Sequence, residues 1–327
     1  MRAALLIRVI RAIRGLTVLA CLTTIVPATY QQKLQPAITA LAVAPDDKLI
    51  LVGSQAGVAI RGIKSKDSQS LAVKLDHVLC LAFSPDGKTL AIGGGRPAEA
   101  GIIELWSWPE KKLLGQLEGH GDLVHDVAWL ADGKMLASAS ADRTVRVWDV
   151  ASKKSTLTLS GHSGPVLCLA AFADGKTLCS GSADQTIRVW NAADGKLVRS
   201  LDNHLGAVHA LAIRPGRAKE EPVTLASASA DATVRIWQPA LGRLVRIVRQ
   251  PSAFYGVVWN QDGSLLACGG KDGVLRIVDG DSDKVLSERM LSKGWIVSLA
   301  RASQIDALIV GTTLGEVQSA ALAIDKK

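Results

Sequence analysis

Short apolar runs bounded by turn residues recur along most of the chain. Runs such as VLCLAAF and TLCSGSA lie between clusters of Gly, Asp and Ser, and runs such as TIRVW alternate apolar and polar positions. Runs of this kind, rich in β-branched residues, are typical of β-strands. Beyond the first thirty residues, no amphipathic helical pattern competes with them. The pattern therefore predicts an all-β protein.

These runs belong to a repeat with a period of about 42 residues. Clear copies begin at Gly119, Gly161 and Asn203, and weaker copies on either side bring the total to seven units between residues 29 and 327. The better copies contain an apolar segment, an Asp-Gly turn, a second apolar segment, an alternating segment and a weaker fourth one. Asp-Gly supplies the backbone conformation of a tight hairpin. Such a repeat is typical of the four-stranded blades of a β-propeller.

Two of the clear copies share a sequence signature. Gly-His pairs end at His120 and His162, and a tryptophan follows each pair at the same spacing, Trp148 and Trp190. These residues resemble the GH…WD signature of the WD-repeat (WD40) β-propellers, and the resemblance covers nearly the whole chain after the first thirty residues. It implies one seven-bladed propeller with four-stranded antiparallel blades over residues 29–327.

In that family a His, a Ser or Thr, an Asp and the Trp of each repeat form a hydrogen-bonded tetrad. The chemistry is sound: the carboxylate accepts from the imidazole, the imidazole meets the hydroxyl, and the hydroxyl accepts from the indole N–H. The resemblance assigns tetrads to blades three, four and five as follows: His120, Ser138 or Ser140, Asp142 and Trp148; His162, Ser180 or Ser182, Asp184 and Trp190; His204, Ser227 or Ser229, Asp231 and Trp237.

The same Ser-His-Asp sets could be read as catalytic triads. Three copies at the repeat period favour a structural role, because a triad is needed only once, and the sequence has no GxSxG nucleophile elbow. It also has no CxxC or Cys/His spacing of the kind that binds metal. We therefore expect no catalytic residue, no metal site and no cofactor.

The outer blades depart from the signature. Trp106 of blade two has no Gly-His partner, and Arg61, Val278 and Ala320 stand at the Trp position of blades one, six and seven. We expect these blades to depend more on apolar packing. Blade seven has three predicted strands, and the resemblance implies that the segment around residues 30–34 adds the fourth and closes the ring, which removes an open sheet edge.

The N-terminal segment 1–28 has the three-part pattern of a secretory signal peptide. A basic, acid-free stretch runs to Arg14, an apolar run follows over residues 16–26, and small residues surround Ala28. The apolar run is short for a transmembrane helix. A periplasmic or secreted protein is expected. A transit peptide with Arg every three residues, a lipoprotein box ending at Cys21 and an uncleaved membrane anchor are the alternatives, and membrane contact is expected only through this segment.

Composition adds little to this picture. The net charge of +8 includes four leader arginines, and without them 34 basic residues face 30 acidic ones, which gives weak support for a nucleic-acid partner. Four arginines repeat at one blade position and are interpreted as structural: Arg146, Arg188, Arg235 and Arg276. Four of the eight tryptophans also share one position: Trp106, Trp148, Trp190 and Trp237. Cys168 and Cys179 are expected on one hairpin, where a disulfide would fit export.

The leading hypothesis is a non-catalytic scaffold that binds an unidentified protein partner, with no nucleic acid expected. The alternatives are a hydrolase-like or lactonase-like enzyme built on the central channel and an organellar assembly factor. Two loops are unusual, at residues 96–101 and 214–222. The candidate partner-binding residues lie in exposed turns or at the expected channel mouth: Arg96, Glu99, Arg143, Gln185, His125 and His209.

Overall fold

The repeats fold into seven antiparallel β-sheets, the blades of a propeller. We describe a computed structural model over residues 35–63, 65, 67–215, 223–302 and 307–322. In every sheet, strands that follow one another in the sequence are neighbours. Six sheets have four strands, and the seventh has three within the described residues. The prediction of an all-β, seven-bladed propeller is thus confirmed, and the fourth strand expected around residues 30–34 lies outside the described residues.

The strands of blade one are β1 (Ile38–Val43), β2 (Leu49–Ser54), β3 (Gly57–Gly62) and β4 (Ser68–Leu71). Those of blade two are β5 (His77–Phe83), β6 (Thr89–Arg96), β7 (Ala100–Ser107) and β8 (Leu113–His120). Those of blade three are β9 (Val124–Trp129), β10 (Met135–Ser140), β11 (Val145–Asp149) and β12 (Lys154–Leu159). Those of blade four are β13 (Val166–Ala171), β14 (Thr177–Ser182), β15 (Ile187–Asn191) and β16 (Leu197–Leu201).

Those of blade five are β17 (Val208–Ile213), β18 (Leu225–Ser229), β19 (Thr233–Gln238) and β20 (Arg243–Arg249), with a short 3-10 helix (Pro239–Leu241) before β20. Those of blade six are β21 (Phe254–Trp259), β22 (Leu265–Gly270), β23 (Val274–Asp279) and β24 (Val285–Met290). Those of blade seven are β25 (Ile296–Ala302), β26 (Ala307–Thr312) and β27 (Val317–Ala321).

The Asp-Gly turns join the first and second strands of a blade. In blade four, Gly175 has a φ of 65°, a left-handed conformation that glycine adopts without steric cost. The carboxylate of Asp174 accepts the backbone N–H groups of Lys176 and Thr177 at 2.8 and 2.9 Å. The residue pair thus supplies both the backbone conformation and the hydrogen bonds of the turn.

Apolar packing between blades holds the ring together. The innermost strands β1, β5, β9, β13, β17, β21 and β25 contact one another in succession, and β25 contacts β1. Each of the seven junctions between neighbouring blades has its own buried cluster. The repeated tryptophan of a blade packs toward the preceding blade, as Trp190 does with Ala139 and Leu159 of blade three. Ile309 of blade seven packs with Ile38 of blade one at the junction that completes the ring.

The described cysteines are free thiols buried in strands. In the β13–β14 hairpin Cys168 faces Gly181 and Cys179 faces Ala170, so the two sulfurs do not lie opposite each other. Burial raises the pKa of both thiols, and it raises the pKa of Cys268 to about 12. No helix among the described residues is long and apolar enough to cross a membrane. The segment 1–28, for which a signal peptide is predicted, lies outside the described residues.

Candidate functional site

Two sets of connections meet at one end of the propeller, which we call the tetrad end. The first set joins the outermost strand of one blade to the innermost strand of the next, as residues 160–165 do. The second set joins the second and third strands of a blade, as residues 183–186 do. His162 and His204 lie in the first set, and His120 is the last residue of the strand that leads into it. Each tetrad aspartate lies in the second set.

The side chains of each tetrad form one hydrogen-bonded chain. In blade four, His162 Nδ1 lies 2.8 Å from Asp184 Oδ2, and His162 Nε2 lies 2.8 Å from Ser180 Oγ. Trp190 Nε1 donates to Ser180 Oγ at 2.8 Å. Because Ser180 Oγ already accepts from the indole, its hydroxyl hydrogen is directed to His162 Nε2, and His162 Nδ1–H donates to the ionised carboxylate. Every polar group in the chain then has a partner.

Blades three and five repeat this geometry with almost the same distances. The His–Asp, His–Ser and Trp–Ser distances are 2.7, 2.7 and 2.8 Å for the tetrad of His120. They are 2.8, 2.7 and 2.8 Å for the tetrad of His204. The sequence offered two serines in each blade as the hydrogen-bond partner of the histidine. In the structure the first serine of each pair, such as Ser138, makes this contact. The second, Ser140, donates instead to the carbonyl of Asp122 at 2.8 Å.

Two further hydrogen-bond donors to the tetrad aspartate were not predicted from the sequence. Thr186 Oγ1 donates to Asp184 Oδ1 at 2.7 Å, and the backbone N–H of Ser163 donates to Asp184 Oδ2 at 3.0 Å. The other two tetrads contain the equivalent threonines, Thr144 and Thr233. A threonine two positions after the turn aspartate in all three clear repeats was the signal for this contact.

The environment fixes the ionisation of the tetrads. Burial raises the pKa of Asp184, but hydrogen bonds from Thr186 and His162 outweigh burial and hold that pKa at about 2. The pKa of Asp231 is held at about 2 in the same way. Burial lowers the pKa of His162, although the adjacent carboxylate opposes the change. A neutral imidazole beside an ionised carboxylate is therefore the stable form.

The tetrads are not arranged as open hydrolytic sites. The tetrad histidine side chains are at most 1% exposed, and the tetrad serines are fully buried. Each serine oxygen already accepts the indole N–H, so it does not face a space that a substrate could enter. The three Ser-His-Asp sets thus join loops to the strands of their blade.

Blade two has a different set of buried hydrogen bonds in place of the tetrad, and this set was not predicted from the sequence. Glu104 is fully buried on β7, and its carboxylate accepts Trp106 Nε1–H at 2.9 Å. The same carboxylate accepts the backbone N–H of Lys74 at 3.1 Å and the amide of Gln116 at 3.2 Å. Glu104 stands at the position of the repeated arginine, while Ile92 faces it where a tetrad serine would stand. Blade two is therefore not held by apolar packing alone.

Blades six and seven also contain polar links. Arg276 forms ion pairs with Asp272 at 2.7 Å and with Glu288 at 2.9 Å, and its guanidinium lies 5.9 Å from the ring centroid of Phe254. In blade seven, Glu316 accepts the hydroxyl of Ser292 at 2.5 Å. Blades two, six and seven thus contain polar contacts in place of the tetrad.

The repeated arginines lie one to a blade, and two of the four lie beside the tryptophan of their own blade. Arg146 and Arg188 place their guanidinium groups 5.9 and 5.8 Å from the ring centroids of Trp148 and Trp190, within the range of a cation–π contact. Arg235 lies 3.5 Å from the Asp231 carboxylate. The four cations are distributed around the ring and do not form one continuous track.

Four candidate partner-binding residues are exposed at the tetrad end. Arg96 forms ion pairs with Asp76 and, at 3.7 Å, with Glu99. Arg143 and Gln185 occupy equivalent turns and adopt left-handed φ values of 72° and 74°. Arg96 is the last residue of β6, and Glu99, Arg143 and Gln185 lie in loops of the same end, on blades two, three and four. Part of the other unusual loop, residues 216–222, lies outside the described residues.

His125 and His209, the remaining candidates, line the central channel. A cavity of about 220 Å³ there is lined by one equivalent residue from each innermost strand: Thr39, Leu79, His125, Leu167, His209, Tyr255 and Val297. Burial lowers the pKa of both histidines. Within the described part of the chain, no three His, Cys, Asp or Glu side chains are grouped as metal ligands would be.

The roles of three residues near the channel, Asp126, Tyr255 and Trp295, were not predicted from the sequence. Asp126 accepts the backbone N–H groups of Val127 at 2.9 Å and of Leu169 in the next blade at 2.8 Å, and burial raises its pKa to about 7. Tyr255 packs edge-on against His209 and stacks on Trp295. The signal for Asp126 was an acidic residue inside an apolar strand segment. The aromatic pair stands in degenerate repeats that had no signature to mark it.

Seven antiparallel blades in a closed ring, with three His-Ser-Asp-Trp tetrads at the repeat period, define a WD-repeat β-propeller. The family model described as "WD domain, G-beta repeat" matches residues 68–107, 111–149, 153–191, 195–238 and 242–279. These segments cover more than half of the chain, and the protein belongs to the WD40 family.

Several curated proteins are similar to this chain over part of its length. The U4/U6 small nuclear ribonucleoprotein PRP4 of Saccharomyces cerevisiae is 31% identical over 34% of this chain and 24% of its own. The nucleoporin Nup37 of Drosophila melanogaster is 38% identical over 21% of this chain and 23% of its own. The intraflagellar transport protein 122 homolog of Mus musculus is 38% identical over 20% of this chain and 5% of its own. The matches thus span less than a quarter of each relative.

Proposed function

We propose that this protein is a non-catalytic scaffold that binds a partner protein at the tetrad end. The observation that carries the proposal is the burial of all three tetrads. The tetrad side chains hydrogen-bond the loops to the strands of each blade. The loops therefore form a rigid surface that presents exposed side chains such as Arg143 and Gln185. Rigid loops lose little conformational entropy when a partner binds.

The comparisons support a scaffold over an enzyme at the level of the family. The chain belongs to the WD40 family, and the relatives it matches are named as a ribonucleoprotein, a nucleoporin and a transport protein. Arg143 and Gln185 lie in loops, where binding residues commonly occur on a rigid scaffold. The proposal includes export, for which the three-part pattern of the N-terminal segment 1–28 is the support.

Affinity capture from the native organism tests the scaffold role. We expect wild-type protein and a Lys176→Ala control, altered in a turn at the opposite end of blade four, to recover the same partner. A double variant Arg143→Ala and Gln185→Ala should recover about tenfold less, a loss of about 1.4 kcal/mol in binding free energy. Recovery of no partner together with turnover of a small substrate would contradict the proposal.

The mature N-terminus tests the export part separately. Mass spectrometry of protein isolated from the native organism should find a start near Thr29. A chain that still begins at Met1 in the cytosolic fraction would show that the export part is wrong, and it would leave the binding role unaffected.

A further inference from the structure

Three aromatic rings form a continuous row across the tetrad end of blades five, six and seven. The rings of His209 and Tyr255 meet edge to face with centroids 4.8 Å apart. Tyr255 and Trp295 are stacked, with centroids 5.4 Å apart and planes only 9° from parallel. We call these three residues the aromatic row. It runs from the channel wall at His209 to the loop between blades six and seven at Trp295.

The outer end of the aromatic row is exposed and apolar. Trp295 is 41% exposed, and Leu314 in the neighbouring turn of blade seven is 47% exposed. Gly294 lies between them, close enough that a Cβ there would stand 2.6 Å from Leu314 Cγ. Exposed apolar groups that adjoin one another commonly mark an interaction surface. Tryptophan and tyrosine are also the residues that most often dominate binding energy at protein interfaces.

Positive charge accompanies this apolar surface. Lys271 Nζ lies 5.6 Å from the ring centroid of Trp295, and Lys293 is exposed in the same loop as Trp295. Neither lysine forms an ion pair with any described residue, whereas the neighbouring Asp272 is paired with Arg276. An ammonium group over the exposed ring of Trp295 and a second one in the same loop are complementary to a ligand that has both carboxylates and an apolar side chain.

The inner end of the aromatic row opens onto the channel cavity. Polar groups such as His125 and His209 line this cavity beside apolar side chains such as Leu167, and the surface that it exposes is mostly polar. Because burial lowers the pKa of both histidines, their rings are neutral hydrogen-bonding groups at neutral pH. The outer end of the aromatic row, at Trp295 and Lys271, is therefore the part that suits an apolar side chain next to a carboxylate.

We infer that the aromatic row binds an acidic segment of the partner protein, with one aromatic side chain of that segment packed on Trp295 and Leu314 and its carboxylates beside Lys271 and Lys293. The inference rests on the proposed scaffold function and names the chemistry of its ligand. A single-stranded nucleic acid also stacks on aromatic rings. Two lysines offer little phosphate neutralisation, however, and the repeated arginines lie inside separate blades, so a peptide is the better match.

Selection from a phage-displayed random peptide library against the full chain tests this inference. We expect the enriched peptides to be acidic and to contain an aromatic residue. Fluorescence anisotropy with one such synthetic peptide should show at least about tenfold weaker binding to Trp295→Ala and to Lys271→Glu, which corresponds to about 1.4 kcal/mol. Lys284→Glu makes the same charge change at the opposite end of blade six, and it should bind as tightly as wild type.

Three results would overturn the inference. They are enrichment of basic or neutral peptides, unchanged binding to Lys271→Glu, and Trp295-dependent binding of a single-stranded oligonucleotide with which acidic peptides do not compete. Unchanged circular dichroism and thermal melting would show that each variant is folded. Enriched peptides that depend on Arg143 and Gln185 instead of Trp295 would overturn the inference and leave the scaffold function standing. If no peptide is enriched and no partner is captured, the scaffold function itself fails.

Discussion

Blades four and two bury the same indole at the same repeat position and satisfy its N–H group differently. In blade four the acceptor is a neutral hydroxyl, Ser180, which passes the chain of hydrogen bonds to His162. In blade two the acceptor is the carboxylate of Glu104, which also receives a backbone N–H from the connecting loop. Both arrangements join the tryptophan to a loop of the tetrad end. The comparison shows that this position requires a hydrogen-bond acceptor for the indole N–H, because a buried polar group without a partner is costly. It also requires a hydrogen bond that fixes the adjoining loop.

Removal of the tryptophan tests whether the two arrangements are equivalent. Trp190→Ala should lower the free energy of unfolding by about 3–5 kcal/mol, because it leaves a large cavity between blades three and four. Trp106→Ala should cost a similar amount if the indole has the same structural role in blade two. Denaturant titration followed by circular dichroism measures both, with the exposed Trp295→Ala as the control. A much smaller loss for Trp106→Ala would show that blade two tolerates a cavity at this position. The two tryptophans would then not have equivalent structural roles.

The carboxylate of blade two can be changed directly. Glu104→Ala leaves the N–H groups of Trp106 and Lys74 without their acceptor, and we expect a loss of about 1–3 kcal/mol in unfolding free energy. Glu104→Gln should cost less, since its amide oxygen still accepts one of these hydrogens. Glu118→Ala, on the exposed outer strand of the same blade, should stay within about 0.5 kcal/mol of wild type. Equal losses of unfolding free energy for Glu104→Ala and Glu118→Ala would contradict the role of Glu104 as a buried hydrogen-bond acceptor.

Glu104 also shows why the sequence predicted the fold more completely than the site. The blade count, the Asp-Gly turns and the tetrads follow from period and residue type, since the same few residues recur at fixed spacing. Glu104 breaks the period, and its role depends on the backbone N–H of Lys74, which only the folded loop brings near. Its one signal was an acidic residue where other blades have arginine. The stack of Tyr255 on Trp295 joins two blades with no shared signature, so spacing along the chain could not predict it.

Acid should weaken the tetrad of blade four. The pKa of Asp184 is held at about 2 in the folded protein against an ordinary value near 4, so the unfolded chain binds its proton first as pH falls. This stabilisation, about 2 kcal/mol, is present above pH 4 and is lost as the pH falls toward 2. Unfolding free energy measured across this range should decline less in Asp184→Asn than in wild type. Asp202→Asn, at an exposed site outside the tetrads, should decline as wild type does, and an identical slope for Asp184→Asn would contradict the assigned ionisation.

The smallest expected effect concerns the turns that hold the tetrad aspartates. Blade five has Ala232 with a φ of 62° where blade six has Gly273 with a φ of 71°. Ala232→Gly should therefore stabilise the protein by about 0.5–1 kcal/mol, because a left-handed conformation is costly for a residue with a Cβ. Ala230→Gly, two positions earlier and without a positive φ, should instead destabilise it by about 0.5–1 kcal/mol. Thermal melting of the two variants tests the opposite signs, and shifts in the same direction would contradict the strain argument.

The repeat in the sequence and the blade in the structure are offset by one strand. The matched segment 153–191 begins with β12, the outer strand of blade three, and ends with β15 of blade four. All four members of the blade-four tetrad, His162, Ser180, Asp184 and Trp190, fall within that one segment. A gene duplication or deletion of one such segment would therefore add or remove a complete set of hydrogen-bonding residues, with its ends in an exposed turn between the third and fourth strands. The offset makes the blade number open to change during evolution without separating a histidine from its aspartate.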